Sequence, residues 1–92
     1  MNFVTEAGDY ANISATTTVR TGAGYLTGIF VASASATPVI TVYDNTSAAT
    51  LIVNAFTPIG GTFYPMPCTF QTGLHVVISG TVDCTVMWGP VN

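Results

Sequence analysis

Apolar and polar residues alternate along this chain with a period of two, and no stretch shows the 3.6-residue recurrence of an amphipathic helix. Thr, Val, Ile, Tyr and Phe fill the alternating stretches. Turn-forming residues interrupt them every 8–12 positions or so, about the spacing of an all-β sandwich or barrel. Reading strands between the breakers gives Asn12–Arg20, Tyr25–Ser33, Pro38–Tyr43, Thr50–Phe56, Thr62–Tyr64, Cys68–Gln71, Leu74–Ser79 and Val82–Trp88. The expected fold is all-β: a single small antiparallel β-sandwich or jelly-roll-like barrel of about seven or eight strands. Residues 1–10 read as an N-terminal arm and 11–92 as the β domain.

The alternation assigns faces. Ile13, Ala15, Thr17 and Val19 share one side of the first strand. The second strand is apolar on both sides, with Tyr25, Ile29 and Val31 on one and Leu26, Phe30 and Ala32 on the other. Gly28 within it predicts a bulge or a close backbone approach. Pro65 and Pro67 confine their stretch to an edge or a crossing, because proline donates no ladder hydrogen bond. Leu74, Val76 and Ile78 align on one face, as do Val82, Cys84, Val86 and Trp88. A hairpin with Gly80 in the left-handed region unites these two sets. It pairs Leu74 with Cys84, Val76 with Val82 and, on the outer face, His75 with Asp83.

Composition narrows the role. Of 92 residues, 49% are hydrophobic and only 5% charged, against about 25% in an average soluble domain. The charges are Arg20 against Glu6, Asp9, Asp44 and Asp83, with no Lys, for a net charge of −3. One Arg cannot form a phosphate-binding patch, so nucleic acid is not an expected partner. A polybasic membrane contact is excluded on the same ground. No run of about 20 apolar residues is present, and the first residues lack the pattern of a secretory leader. The chain therefore reads as made in the cytoplasm, where Cys68 and Cys84 are expected as buried thiols rather than a bridge. A core this small stabilises only marginally, so a supplement is expected, whether disulfides, a metal or association with further copies. The two-sided apolarity of Tyr25–Ser33 and the scarcity of charge to blunt strand edges point to the last.

Candidate chemistry is sparse. His75 with Asp83 lacks an identifiable third partner and reads as a cross-strand surface pair. Asp44-Asn45-Thr46-Ser47 offers oxygens with a single charge, which suits a turn better than a cation site. No glycine-rich stretch leads into a helix or a lysine, as a phosphate loop requires. No catalytic residue, metal ligand or cofactor site is expected. The ten aromatic residues read as core and intersubunit packing, with a stacking platform for sugars as the other use of such side chains.

Four stretches carry a resemblance. They are Thr21-Gly22-Ala23-Gly24 with Leu26 and Ile29; Ile40-Thr41-Val42-Tyr43-Asp44-Asn45-Thr46-Ser47; Phe70-Gln71-Thr72-Gly73-Leu74 with Val76 and Val77; and Ile78-Ser79-Gly80-Thr81 leading into Thr85-Val86. In this order and spacing, over residues 19–88, they resemble small virion structural proteins of tailed bacteriophages. The resemblance implies a non-enzymatic, self-associating role on the capsid surface, such as a decoration or cement protein. Its partners would be its own copies, with a trimer favoured, and the major capsid protein lattice. Its location would be the virion, assembled in the host cytoplasm. A small glycan-binding head-fibre or tail module is the alternative. Tyr25, Phe30, Phe63, Tyr64 and Trp88 are the expected interface residues, because buried aromatics dominate interface energetics.

Overall fold

The computed structural model describes residues 8–90. They form six strands and no helix: β1 (Asp9–Ile13), β2 (Thr17–Thr21), β3 (Gly24–Tyr43), β4 (Leu51–Phe56), β5 (Thr62–Phe70) and β6 (Gly73–Pro90). The expected arm lies outside the described residues except at its end, where Asp9 and Tyr10 open β1. All pairings are antiparallel within one open sheet. Two long central strands, β3 and β6, pair from Gly24↔Pro90 to Tyr43↔His75. The free side of β6 carries β1 along its C-terminal half and β2 along its N-terminal half. The free side of β3 carries β5 and then β4.

The expected short strands are thus redistributed. Asn12–Arg20 divides into β1 and β2, with the chain turning between Ile13 and Thr17. Tyr25–Ser33 and Pro38–Tyr43 fuse into β3, because Ser33-Ala34-Ser35-Ala36 continues the ladder instead of looping out. Thr62–Tyr64 and Cys68–Gln71 fuse into β5, which runs through Pro65 and Pro67. β5 pairs only with β3 among the described strands, so it is an edge, where the missing proline donors are tolerated.

The hairpin expected at Gly80 does not form. Leu74–Ser79 and Val82–Trp88 are two halves of β6 and both pair with β3. Leu74 and Val76 pair with Arg20 and Thr17, while Val82 and Cys84 pair with Ala34 and Val31. Gly80 is left-handed as expected, with φ 75°, but it bends one strand instead of reversing the chain. Between Ser35↔Thr81 and Val39↔Ser79, β3 places Ala36, Thr37 and Pro38 opposite this single glycine. Ala36 and Thr37 themselves take φ of 58° and 54°. A Cβ at Gly80 would sit 2.6 Å from the Ala36 carbonyl oxygen, so the bend requires glycine there.

The bend has a large effect. An unbent strand of 18 residues spans about 60 Å, yet the long axis of the molecule is 45 Å. Arg20, beside Leu74 near the start of β6, has its guanidinium 5.8 Å from the ring centroid of Trp88 near the other end. Thr21 pairs with Gly73 while Gly24 pairs with Pro90, so the two ends of β6 meet at one pole.

Side chains on the inner face of the folded sheet form one core. Leu26, Ile29, Val31, Ile40, Val42, Phe70, Leu74, Val76, Val82, Cys84 and Val86 are fully buried, and Ile78 and Trp88 pack against them. The expected inner sets of β6 therefore do share a core. In β3 the pattern is different from a plain alternation. A register shift between Leu26 and Gly28 switches parity, so Leu26, Ile29 and Val31 all point inward while Phe30 points out. The two-sided apolarity of this segment comes largely from that bulge, which Gly28 marks.

Asp44 closes the opposite pole from Gly80. Its N–H donates to the Thr50 carbonyl (2.6 Å), fixing the β3–β4 turn. Its carboxylate accepts backbone N–H groups of Gln71 (3.0 Å), Thr72 (2.8 Å) and Gly73 (3.3 Å), tying that turn to the β5–β6 turn.

Candidate interaction face

The bulge at Gly28 sets up the main surface feature. It turns Phe30 outward, directly opposite Phe63 of β5, and both side chains are exposed. The register continues the row across the sheet as Asn12, Thr85, Phe30 and Phe63, one residue from each of four strands. The next row is Tyr10, Met87, Gly28 and Pro65. At Gly28 a Cβ would meet the Phe63 ring at 2.7 Å, so Phe63 lies on bare backbone and reaches across the row. The face is apolar at its β5 side and carries hydroxyl and amide groups at its β1 side.

Tyr10 is the most exposed of the large apolar side chains described, at 76%. It borders a recess of about 380 Å³ lined by Gly8, Asp9, Thr27, Thr85, Met87 and Trp88. A second apolar recess, about 330 Å³, lies between β4 and β5 and is lined by Val53, Phe56, Tyr64, Pro65 and Met66.

The five expected interface aromatics divide. Phe30 and Phe63 come together on the outer face. Tyr25 is half-buried against Gly89. Tyr64 turns inward, packs its ring 5.0 Å from Phe56 and accepts the Ile59 N–H at its hydroxyl (2.9 Å). Trp88 is half-buried beneath Arg20, and its buried Nε1 has no hydrogen-bond partner among the described residues. Sequence reasoning misses Tyr10, because its stretch reads as an arm; the Tyr-Ala-Asn-Ile alternation is the available signal.

The polar candidates part company. His75 and Asp83 do not pair, since they lie on different halves of β6. His75 Nδ1 is 2.8 Å from the Thr18 hydroxyl and its ring stands 6.4 Å from Tyr43. Asp83 accepts from Asn12 Nδ2 at 3.2 Å. No group of three metal-ligating side chains occurs among the described residues. Cys68 and Cys84 are both free. They pair with Leu26 and Val31 on opposite sides of β3, about 16 Å apart along that strand. A bridge needs Cα atoms within about 7 Å. Burial, with the charge of Asp83 second, pushes the Cys84 thiol up to about 11. Burial, then Asp44, raises Cys68. Both are therefore poor nucleophiles at neutral pH.

The fold and face define an all-β protein with an exposed aromatic surface. No protein-family model matches the chain, and neither a curated protein nor a solved structure matches it.

Proposed function

We propose that this chain is a non-enzymatic virion structural protein that self-associates and decorates or stabilises a phage capsid surface. In this reading the bent sheet is a two-leaf β-sandwich. One leaf is β1, the C-terminal half of β6, the N-terminal half of β3 and β5; the other is β2, the remaining halves and β4. The observation that carries the reading is Phe30 beside Phe63, exposed on a chain with 5% charged residues. Burying such a face against protein stabilises by about 25 cal/mol per Å² of apolar area. With almost no charge at the surface there is little to oppose contact between copies.

The edges support association through faces. β5 carries Pro65 and Pro67, β4 has two register shifts in six residues, and β2 has one between Thr18 and Arg20. Bulges and prolines blunt these edges in place of charge. Electron microscopy of the particle carrying this protein is the test. Stoichiometric, symmetric density on the capsid, with a trimer as the expected unit, supports the role; density confined to a tail or fibre rejects it.

The recess at Tyr10 favours a second reading, a glycan-binding head-fibre or tail module. An exposed ring beside Asp9, Thr27 and Thr85 offers stacking together with hydroxyl-directed hydrogen bonds. Glycan-array binding that Tyr10→Ala abolishes would support this reading over the first.

A further inference from the structure

We propose that the Asp44 carboxylate is an acid-labile latch that holds the β3–β4 turn onto the β5–β6 turn and releases that pole of the molecule while the core stays folded.

The geometry is a carboxylate seated on consecutive backbone donors. Oδ1 accepts Thr72 N–H at 2.8 Å, Gln71 at 3.0 Å and Gly73 at 3.3 Å, and Oδ2 also lies 3.0 Å from Gln71 N. Among the described residues no other hydrogen bond joins these two turns. The remaining bonds of the Asp44 turn are internal, from Asp44 N–H to Thr50, Ala49 N–H to Ser47 and Thr46 N–H to Asn45 Oδ1, or come from β2, where the Thr18 hydroxyl donates to the Thr46 carbonyl at 3.4 Å. The approach is close enough that a Cβ at Gly73 would sit 2.8 Å from the Asn45 carbonyl oxygen and 2.9 Å from that of Arg20. Gly73 thus lets β2, the Asp44 turn and the start of β6 meet at one point, and the carboxylate holds them there.

Proton uptake by Asp44 acts directly on this contact. A carboxylic acid is a weaker acceptor than a carboxylate, and its proton competes for one oxygen. Burial opposes the charge on Asp44, but the N–H groups of Thr72, Gln71 and Gly73 outweigh it and hold the carboxyl below its ordinary value of 3.8. The sign follows: the latch is fully engaged above that value and is lost as pH falls through the lower, folded one. The titratable or charged groups on the surrounding elements are Tyr25 and Tyr43 on β3, Tyr64 and Cys68 on β5, His75, Asp83 and Cys84 on β6, and Arg20 on β2. Arg20 directs its Nε to the Ala23 carbonyl and its guanidinium over Trp88, and His75 meets Thr18. The buried core of the described residues contains no carboxylate, and its one titratable member, Cys84, is neutral throughout the acid range. Acid therefore meets no carboxylate within the buried core of the described residues, and Asp83, which accepts from Asn12, lies outside it.

Amide hydrogen exchange followed by NMR, corrected for intrinsic rates, tests this on the full chain. Between pH 5 and pH 2, protection at Gln71, Thr72 and Gly73 should fall by about tenfold or more, the weight of one charge-assisted hydrogen bond. Protection at Val76 and Val86 should hold. In Asp44→Asn the three amides should be less protected at pH 5 and insensitive to acid. Unchanged protection in the wild type, or an equal acid response in Asp44→Asn, would each overturn the latch.

Discussion

Phe30 and Phe63 stand directly opposite each other across the β3–β5 ladder, 37% and 42% exposed, because a bulge just before Phe30 reverses the facing of β3. Without the shift between Leu26 and Gly28, Phe30 would lie with Leu26 inside. Replacing both phenylalanines by Ser should cost little stability, about 1 kcal/mol or less per site. Light scattering should show the wild type as a defined oligomer at micromolar concentration and the double variant as a monomer. Equal masses would remove this face from the association.

Two glycines separate strain from collision. Gly61 has φ 78° and open space, with nothing within 4 Å of where a Cβ would stand, whereas Gly80 has φ 75° and the Ala36 oxygen at 2.6 Å. Gly61→Ala should cost about 1–2 kcal/mol, the left-handed penalty alone. Gly80→Ala should cost clearly more, since backbone must move at the bend. Urea denaturation of the two variants gives the comparison, and equal midpoints would mean that the bend tolerates a side chain.

The thiols differ in weight. Cys84 is fully buried and donates weakly to the Ile13 carbonyl (3.7 Å), while Cys68 is half-buried. Cys84→Ala should lose about 1–2 kcal/mol and Cys68→Ala less than about 1. Denatured, unreduced protein should titrate as two free thiols per chain; none reacting would mean a bridge.

Arg20 over Trp88 reports on the fold-back of β6. Arg20→Gln should cost about 0.5–1 kcal/mol and shift the emission of the single tryptophan. An unaltered spectrum would show that the guanidinium does not sit on the indole in solution.

Much of the fold is legible in the residues. Alternation alone identifies Leu74, Val76, Val82, Cys84 and Val86 as inward, and the structure buries all five. Gly28 announces its bulge and the two prolines their edge strand. Connectivity is harder, because a local pattern cannot distinguish a turn from a bend. Gly80 in the left-handed region fits a hairpin tip and a kinked strand equally well. What decides is the partner, and β3 offers Ala36 and Thr37 in the same rare backbone region. Neither residue type signals a positive φ. The polar pairings fail for the same reason: His75 and Asp83 are neighbours only if the chain reverses at Gly80. On the candidate face, Phe30 and Phe63 are readable as aromatics, but their adjacency depends on a register that no local signal encodes.

The place of β6 in the sheet has a consequence for biosynthesis. Within the described fold, β1 and β2 have no partner except β6, which is the last of the six strands to leave the ribosome. A nascent chain can zip β3 with β4 and β5, but its first two strands must wait, unpaired, until β6 emerges and slots between them and β3. Completion of this sheet is therefore a late, single event, and a chain stalled before Gly73 holds only the ladders that β3 makes with β4 and β5.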